Sequence, residues 1–184
     1  MSRLVNFVLY QIGWFACVLG AAWHFPGTGM VISLSLVGVH LWIADDRLAQ
    51  WKLALIAASV GLVVDTAQLW LGVFSFSQGV VFEGLPPPWM SVLWIQFATT
   101  FHYSLNWLSR RYLTSALFGM GGAPLAFFAG ERLGAIEFLP PRFLHYGILA
   151  FTWSIAVPVL VFAADHLLRE NSKPAVYRGF STPT

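Results

Sequence analysis

Charge is what this chain most conspicuously lacks. Only 10% of its 184 residues are Asp, Glu, Lys or Arg, against about a quarter in an ordinary soluble domain. Ten basic and eight acidic side chains cannot coat a soluble fold of this length, and 58% of the residues are hydrophobic, with a mean hydropathy of +0.70. A net charge of +2, without a basic stripe interleaved with aromatics, excludes nucleic acid as a partner. Cysteine occurs once, as Cys17, so no disulfide forms within the chain. G-x-S-x-G, P-loop, H-E-x-x-H and C-x-x-C motifs are absent, and no cofactor is implied. His40, His102 and Asp45 or Asp46 have no spacing that fixes a metal site, so none is assigned.

What the chain has instead is long apolar runs, which a bilayer solvates without a polar coat. Six segments approach the length needed to cross about 30 Å of hydrocarbon as helices: Leu4–Trp23, Thr28–Ala44, Leu53–Phe74, Trp89–Leu108, Leu113–Gly130 and Phe143–Leu168. The first follows Arg3 and superficially resembles a secretory signal, but further spans follow it, so it reads as a retained helix. Pro124, within "GMGGAP", is expected to bend or break the fifth. The expected architecture is an all-α, six-helix transmembrane bundle over residues 1–168, followed by a polar basic tail over 169–184.

With a cytoplasmic N-terminus, Arg3, Arg47, Lys52, Arg110, Arg111, Arg169, Lys173 and Arg178 fall inside, and only Arg132 and Arg142 fall outside. That asymmetry obeys the positive-inside rule and places both termini in the cytoplasm. Tryptophans provide a second signal, with Trp23, Trp70 and Trp89 at the outer boundary and Trp42, Trp51 and Trp107 at the inner one. The outer stretch "FSFSQGVVFEG" reads either as a hairpin turning at Gln78-Gly79 or as an irregular loop.

Asp65 sits within the third span, where an ionised carboxylate costs about 2.5–3.5 kcal/mol on insertion scales. Gly61, Asp65, Gln68 and Gly72 recur at helical spacing, so the acid belongs to a small-and-polar face turned toward other helices. Asp65 and Gln68 are either an interhelical hydrogen-bonding pair or a contact for ligand, proton or substrate. In the fourth span, Thr99, His102, Asn106 and Ser109 would share one face, with His102 about 8 Å in depth from Asp65. Asn6, Tyr10, Gly13, Cys17, Gly20 and His24 form a stripe on the first helix, with Ser33 and His40 on the second; close packing explains the stripe best. Ser115, Gly119, Gly122 and Ala126 read as a packing seam, and Gly130 with Gly134 as a GxxxG pair. Glu131 and Arg132 read as interfacial charges in contact with water, or as an outer polar patch with Glu83, His24 and His145. "HLWIAD" has the H-x4-D spacing of phospholipid acyltransferases, but "FEGLP", the nearest match to their phosphate-binding segment, lies on the opposite face in this topology.

"NFVLYQIGWFACVLGAAW", "VGLVVDTAQLWLG", "WIQFATTFHYSLNWL" and "GGAPLAFFAGERLGAIEF" together resemble a family of small bacterial inner-membrane proteins defined only as a domain of unknown function. The resemblance reaches about residue 165. It implies a multi-pass protein of the bacterial cytoplasmic membrane, carries the motif acid over to Asp65 and "GERLGA" to Glu131–Ala135, and associates the family with fatty-acid-modifying enzymes.

Two functions follow as expectations. In the first, the bundle binds a membrane lipid or other amphipathic molecule between its helices and assists a lipid-modifying enzyme. Asp65, Gln68, Thr99, His102 and Asn106 would make the polar contacts. In the second, the chain is a small-solute-binding subunit of an energy-coupling transporter, with Asp65, Glu131 and Arg132 meeting the solute. A structural or assembly role is the third. Whether the chain is an enzyme stays open.

Overall fold

A computed structural model describes residues 1–76 and 78–171. The side chain of Arg169, together with Lys173, Arg178 and the rest of the expected tail, lies outside the described part. Six α-helices succeed one another: α1 (Arg3–Ala22), α2 (Pro26–Ile43), α3 (Arg47–Trp70), α4 (Pro88–Ala98), α5 (Tyr112–Leu133) and α6 (Arg142–Asn171). Five of them, all but α4, are long and apolar enough to cross a bilayer. Their outward residues, among them Leu113, Val63 and Leu125, are exposed and apolar, as lipid contact requires.

Local chemistry sets the boundaries. Ser2 caps α1 by accepting from Val5 N at 3.2 Å. Asp46 caps α3 by accepting from Ala49 N at 3.0 Å, which starts that helix at Arg47, six residues before the apolar run suggested. Pro88 opens α4 at a position where a missing N–H costs nothing. Gly134 ends α5 in a left-handed conformation, φ +89°, so the second glycine of the expected GxxxG pair terminates the helix instead of docking another. Pro124 lies inside α5 without breaking it.

The fourth span departs most from expectation. At 11 residues, α4 rises only about 16 Å, half of the hydrocarbon thickness. Beyond Ala98 the chain runs in turns to a short 3-10 helix at Asn106–Leu108. The Thr99 hydroxyl donates to Gln96 O at 2.7 Å and the Thr100 hydroxyl to Phe97 O at 2.6 Å, the local bonds by which threonine competes with a helix. Asn6 of α1 then takes over, donating to Thr99 O at 3.0 Å and accepting from Ser104 N at 3.2 Å. Thr99, His102, Asn106 and Ser109 therefore do not share a helical face.

β1 (Phe74–Ser75) and β2 (Glu137–Phe138) pair antiparallel, Phe74 opposite Phe138 and Ser75 opposite Glu137. The loop after α3 thus clasps the loop after α5, and among the described residues no strand pairing marks a hairpin at Gln78-Gly79. Phe74, Phe127 and Phe138 pack beneath this clasp, and Trp89 is buried beside them instead of standing in an interfacial belt. At the opposite end of the bundle the first turn of α1, the start of α3, the 99–110 segment and Asp165 of α6 come together.

Candidate functional site

Two polar centres and one cleft emerge from this packing. The first centre answers why an acid occupies α3. Asp65 is 1% exposed, and its Oδ2 accepts from Trp94 Nε1 of α4 at 2.8 Å. One helical turn earlier, a Cβ on Gly61 would fall on the Trp94 ring, so glycine there lets the indole lie against the α3 backbone. The other face of Trp94 stacks on Trp153 of α6, centroids 4.4 Å apart and planes at 19°. Gln68, fully buried, donates to Thr152 Oγ1 at 2.5 Å. Asp65 and Gln68 are thus brought together with Trp94, Thr152 and Trp153. Among the described residues, Asp65 Oδ1, Thr66 Oγ1, Gln68 Oε1 and Trp153 Nε1 are buried without a partner. All four belong to this one layer.

The second centre lies at the end of the bundle where α4 gives way to turns. Asn6 Nδ2 sits 3.5 Å from His40 Nδ1. His40 Nε2 is 3.2 Å from Gln50 Oε1, Gln50 Nε2 is 2.5 Å from His102 Nδ1, and His102 Nε2 is 3.1 Å from Ala164 O. A carbonyl only accepts, so the network assigns the hydrogen of His102 to Nε2, and its Nδ1 accepts from the Gln50 amide. Gln50 Oε1 must then accept from His40 Nε2–H, leaving His40 Nδ1 to accept from Asn6. Every link runs one way, from α1 through α2, α3 and the 99–105 turns to α6. His102 reaches Gln50 and Ala164 instead of Asp65. Thr99 joins through its carbonyl, and Asn106 stands exposed.

At the clasped end, Glu131 is only 13% exposed at its side chain. Its Oε1 accepts from Phe138 N at 3.2 Å and meets Arg142 at 3.1 Å, while its Oε2 accepts from Tyr146 OH at 3.2 Å. It is a tie between β2 and α6 more than a charge in water. Arg132 lies over the Phe128 ring at 5.0 Å, and His145 bonds to Leu139 O at 2.8 Å. Among the described residues, no hydrogen bond or ion pair joins these residues to Glu83 or His24.

A cleft of about 140 Å³ opens between α1 and α5, floored by α4 and α6. Helices α1 and α5 barely touch each other, whereas α5 packs along α6 and α1 along α2. Its walls include Tyr10, Trp14, Phe97, Gly122, Ala126 and Trp153, and no charged residue lines it. The small residues of α5 divide between two tasks. Gly119 lets Trp153 O approach its backbone, while an added Cβ on Gly122 would meet nothing within 4 Å. The expected seam is therefore a seam at Ser115 and Gly119 and a cleft wall at Gly122 and Ala126.

Several of these residues carry no sequence signal as site groups. Gln50, Trp94 and Trp153 fall within apolar or interfacial stretches. So does Gln96, which donates to Leu9 O at 3.0 Å and accepts from Ser33. The spacing of Gly61, Asp65 and Gln68 is what pointed toward the first centre.

Among known proteins, a family model described as a protein of unknown function, DUF2878, matches residues 3–159. No curated protein and no solved structure matches the chain.

Proposed function

We propose, from the premise that the chain belongs to the DUF2878 family and that this family has no assigned function, that the protein is a multi-pass protein of the cytoplasmic membrane. It takes a lipid-like, amphipathic molecule sideways into the cleft between α1 and α5. The cleft carries this reading: it is apolar, uncharged, and bordered by two helices that leave a gap between them, while α5 packs closely along α6 and α1 along α2. An opening of that kind faces acyl chains, and a solute from water would have to shed its hydration to enter it. The distribution of Lys and Arg supports cytoplasmic termini. Glu131, which the transport reading would assign to a solute, is already engaged by Phe138, Arg142 and Tyr146, so the lipid reading is preferred.

Mass spectrometry of the protein released from detergent micelles tests the proposal. The expected result is a co-purifying amphiphile that disappears in Gly122→Trp, whose indole has room to enter the cleft without meeting a neighbour at its Cβ. Equal retention by both proteins, or by neither, overturns it.

A further inference from the structure

The apolar cleft ends beside charge. Its α5 wall runs from Phe118 to Gly130, about 18 Å of helix, and at the clasped end it reaches Ala135 and Ile136. Ile136 also lines a second hollow, of about 380 Å³, whose other walls include Ser75, Glu131, Glu137 and Arg142. The two hollows meet at this residue, one without charge and one with charge of both signs. An amphiphile is divided in the same way. In the orientation proposed above, the clasped end reaches the head-group layer, so a tail in the cleft brings its polar end to the second hollow.

What the second hollow leaves unspent sets the head group it suits. Both oxygens of Glu131 are engaged, by Phe138 N, Arg142 and Tyr146 OH. Arg142 meets Glu131 through one terminal nitrogen and is 63% exposed at its side chain. Further guanidinium N–H groups therefore remain to donate, in the fork that matches phosphate oxygens. Glu137 is exposed, and neither its carboxylate nor the Ser75 hydroxyl bonds to a described residue. Ser75 and Glu137 are opposite each other in the strand pair, which puts their side chains on one face.

A purely anionic head would set its charge against Glu137, and an uncharged one would answer neither Glu137 nor Arg142. A phosphate joined to an ammonium answers both. That ammonium is a primary one by the same reasoning, since –NH3⁺ has three hydrogens to give to carboxylate and hydroxyl. A quaternary ammonium gives none and is held by a cage of aromatic faces, whereas Phe76 is the one aromatic ring among the described walls of this hollow.

The geometry points to an aminophospholipid of the phosphoethanolamine type, with one acyl tail between α1 and α5, its phosphate on Arg142 and its ammonium on Glu137 and Ser75. This rests on the amphiphile-binding reading above and adds the head group that the site selects.

The test is competition among three lipids with the same dioleoyl tails, phosphatidylethanolamine, phosphatidylglycerol and phosphatidylcholine, supplied in equal amounts in nanodiscs holding the full chain. Mass spectrometry of the released protein reads which lipid it retains. Phosphatidylethanolamine is expected about threefold above each of the others, the scale of two solvent-exposed charge contacts. Glu137→Gln, at an exposed position, should erase that preference without lowering total retention, and Glu137→Lys should turn it toward phosphatidylglycerol. Equal retention of all three lipids, lost together in Gly122→Trp, overturns the head-group assignment while amphiphile binding stands. A parent that prefers phosphatidylglycerol or phosphatidylcholine overturns it too, as does a phosphatidylethanolamine preference unchanged in Glu137→Gln. No retained lipid, or retention by Gly122→Trp equal to the parent's, removes the assignment and the underlying reading together.

Discussion

Trp94 and Asp65 are joined across α4 and α3 by an N–H···O bond of 2.8 Å, and the same indole stacks on Trp153, a wall of the cleft. The acid in the third span therefore acts at a remove. It fixes one ring, that ring fixes another, and the second borders the space a ligand would enter. Asp65 is a positioning residue in this arrangement, and it does not line the cleft itself.

If the pair is a unit, its members will not behave additively. Trp94→Phe leaves the buried carboxyl without its donor and should cost about 1–3 kcal/mol, whereas Asp65→Asn keeps an acceptor oxygen and should cost less than about 1 kcal/mol. Replacing both partners with apolar groups, as Asp65→Leu with Trp94→Phe, should recover much of the loss, since two apolar groups leave nothing orphaned. Thermal unfolding of the parent, Trp94→Phe, Asp65→Leu and the double variant in one detergent closes the cycle, with Asp65→Asn measured beside it. Simple additivity would show that the bond has no energetic identity.

Gly61 should be intolerant of a side chain for reasons of space alone. A Cβ there meets the Trp94 ring, while at Gly121 of α5 it meets nothing within 4 Å. Gly61→Ala is expected to destabilise by about 1–3 kcal/mol through overpacking. Gly121→Ala, at a helical position with open space, should be neutral or stabilise by about 0.5–1 kcal/mol. Equal unfolding midpoints for the two variants would mean that Trp94 can move aside freely.

Gln50 is the link through which two histidines communicate. Its removal in Gln50→Leu leaves His40 Nε2–H without an acceptor and His102 Nδ1 without a donor, about 1–3 kcal/mol for each group that stays dry. Nitrogen-15 NMR offers a sharper test than stability. Both rings of the parent protein should report the neutral Nε2–H tautomer, and in the variant both signatures should broaden or shift. An Nδ1–H tautomer at His102 in the parent would be incompatible with the one-way chain of bonds ending at Ala164 O.

The five long helices were legible because a bilayer imposes a length and a polarity that any window of about 20 residues reveals. The interruption of the fourth was not legible in the same way. "WIQFATTFHYSLNWL" is apolar enough on average to span, and the bonds that end α4 come from two threonine hydroxyls and from Asn6, more than 90 positions away. Hydropathy averages cannot register a side chain that arrives from another helix. Asp65 stood out because it broke an apolar run, yet its partner did not, since a tryptophan in a membrane protein is read first as an interfacial anchor. Trp89, Trp94 and Trp153 all depart from that habit by lying inside the bundle. Glu131 shows the reverse error: a charge near a helix end reads as wet, but pairing of the two loops covers it.

That last residue separates a hydrogen-bonded tie from a salt bridge by magnitude. Arg142 is 63% exposed at its side chain, so solvent screens its attraction to Glu131, and Arg142→Ala should cost at most about 1 kcal/mol. Glu131→Ala removes the same ion pair together with the acceptors of Phe138 N and Tyr146 OH, leaving a strand N–H and a phenol unpaired beneath the clasp. The expected loss is about 2–4 kcal/mol, two hydrogen bonds to a charged group at about 1.5–3 each, less what water recovers. Hydrogen exchange at Phe138 should quicken in Glu131→Ala and stay slow in Arg142→Ala. If both variants lose the same stability and the Phe138 amide exchanges alike in each, the ion pair holds the two loops together and the hydrogen bonds merely accompany it.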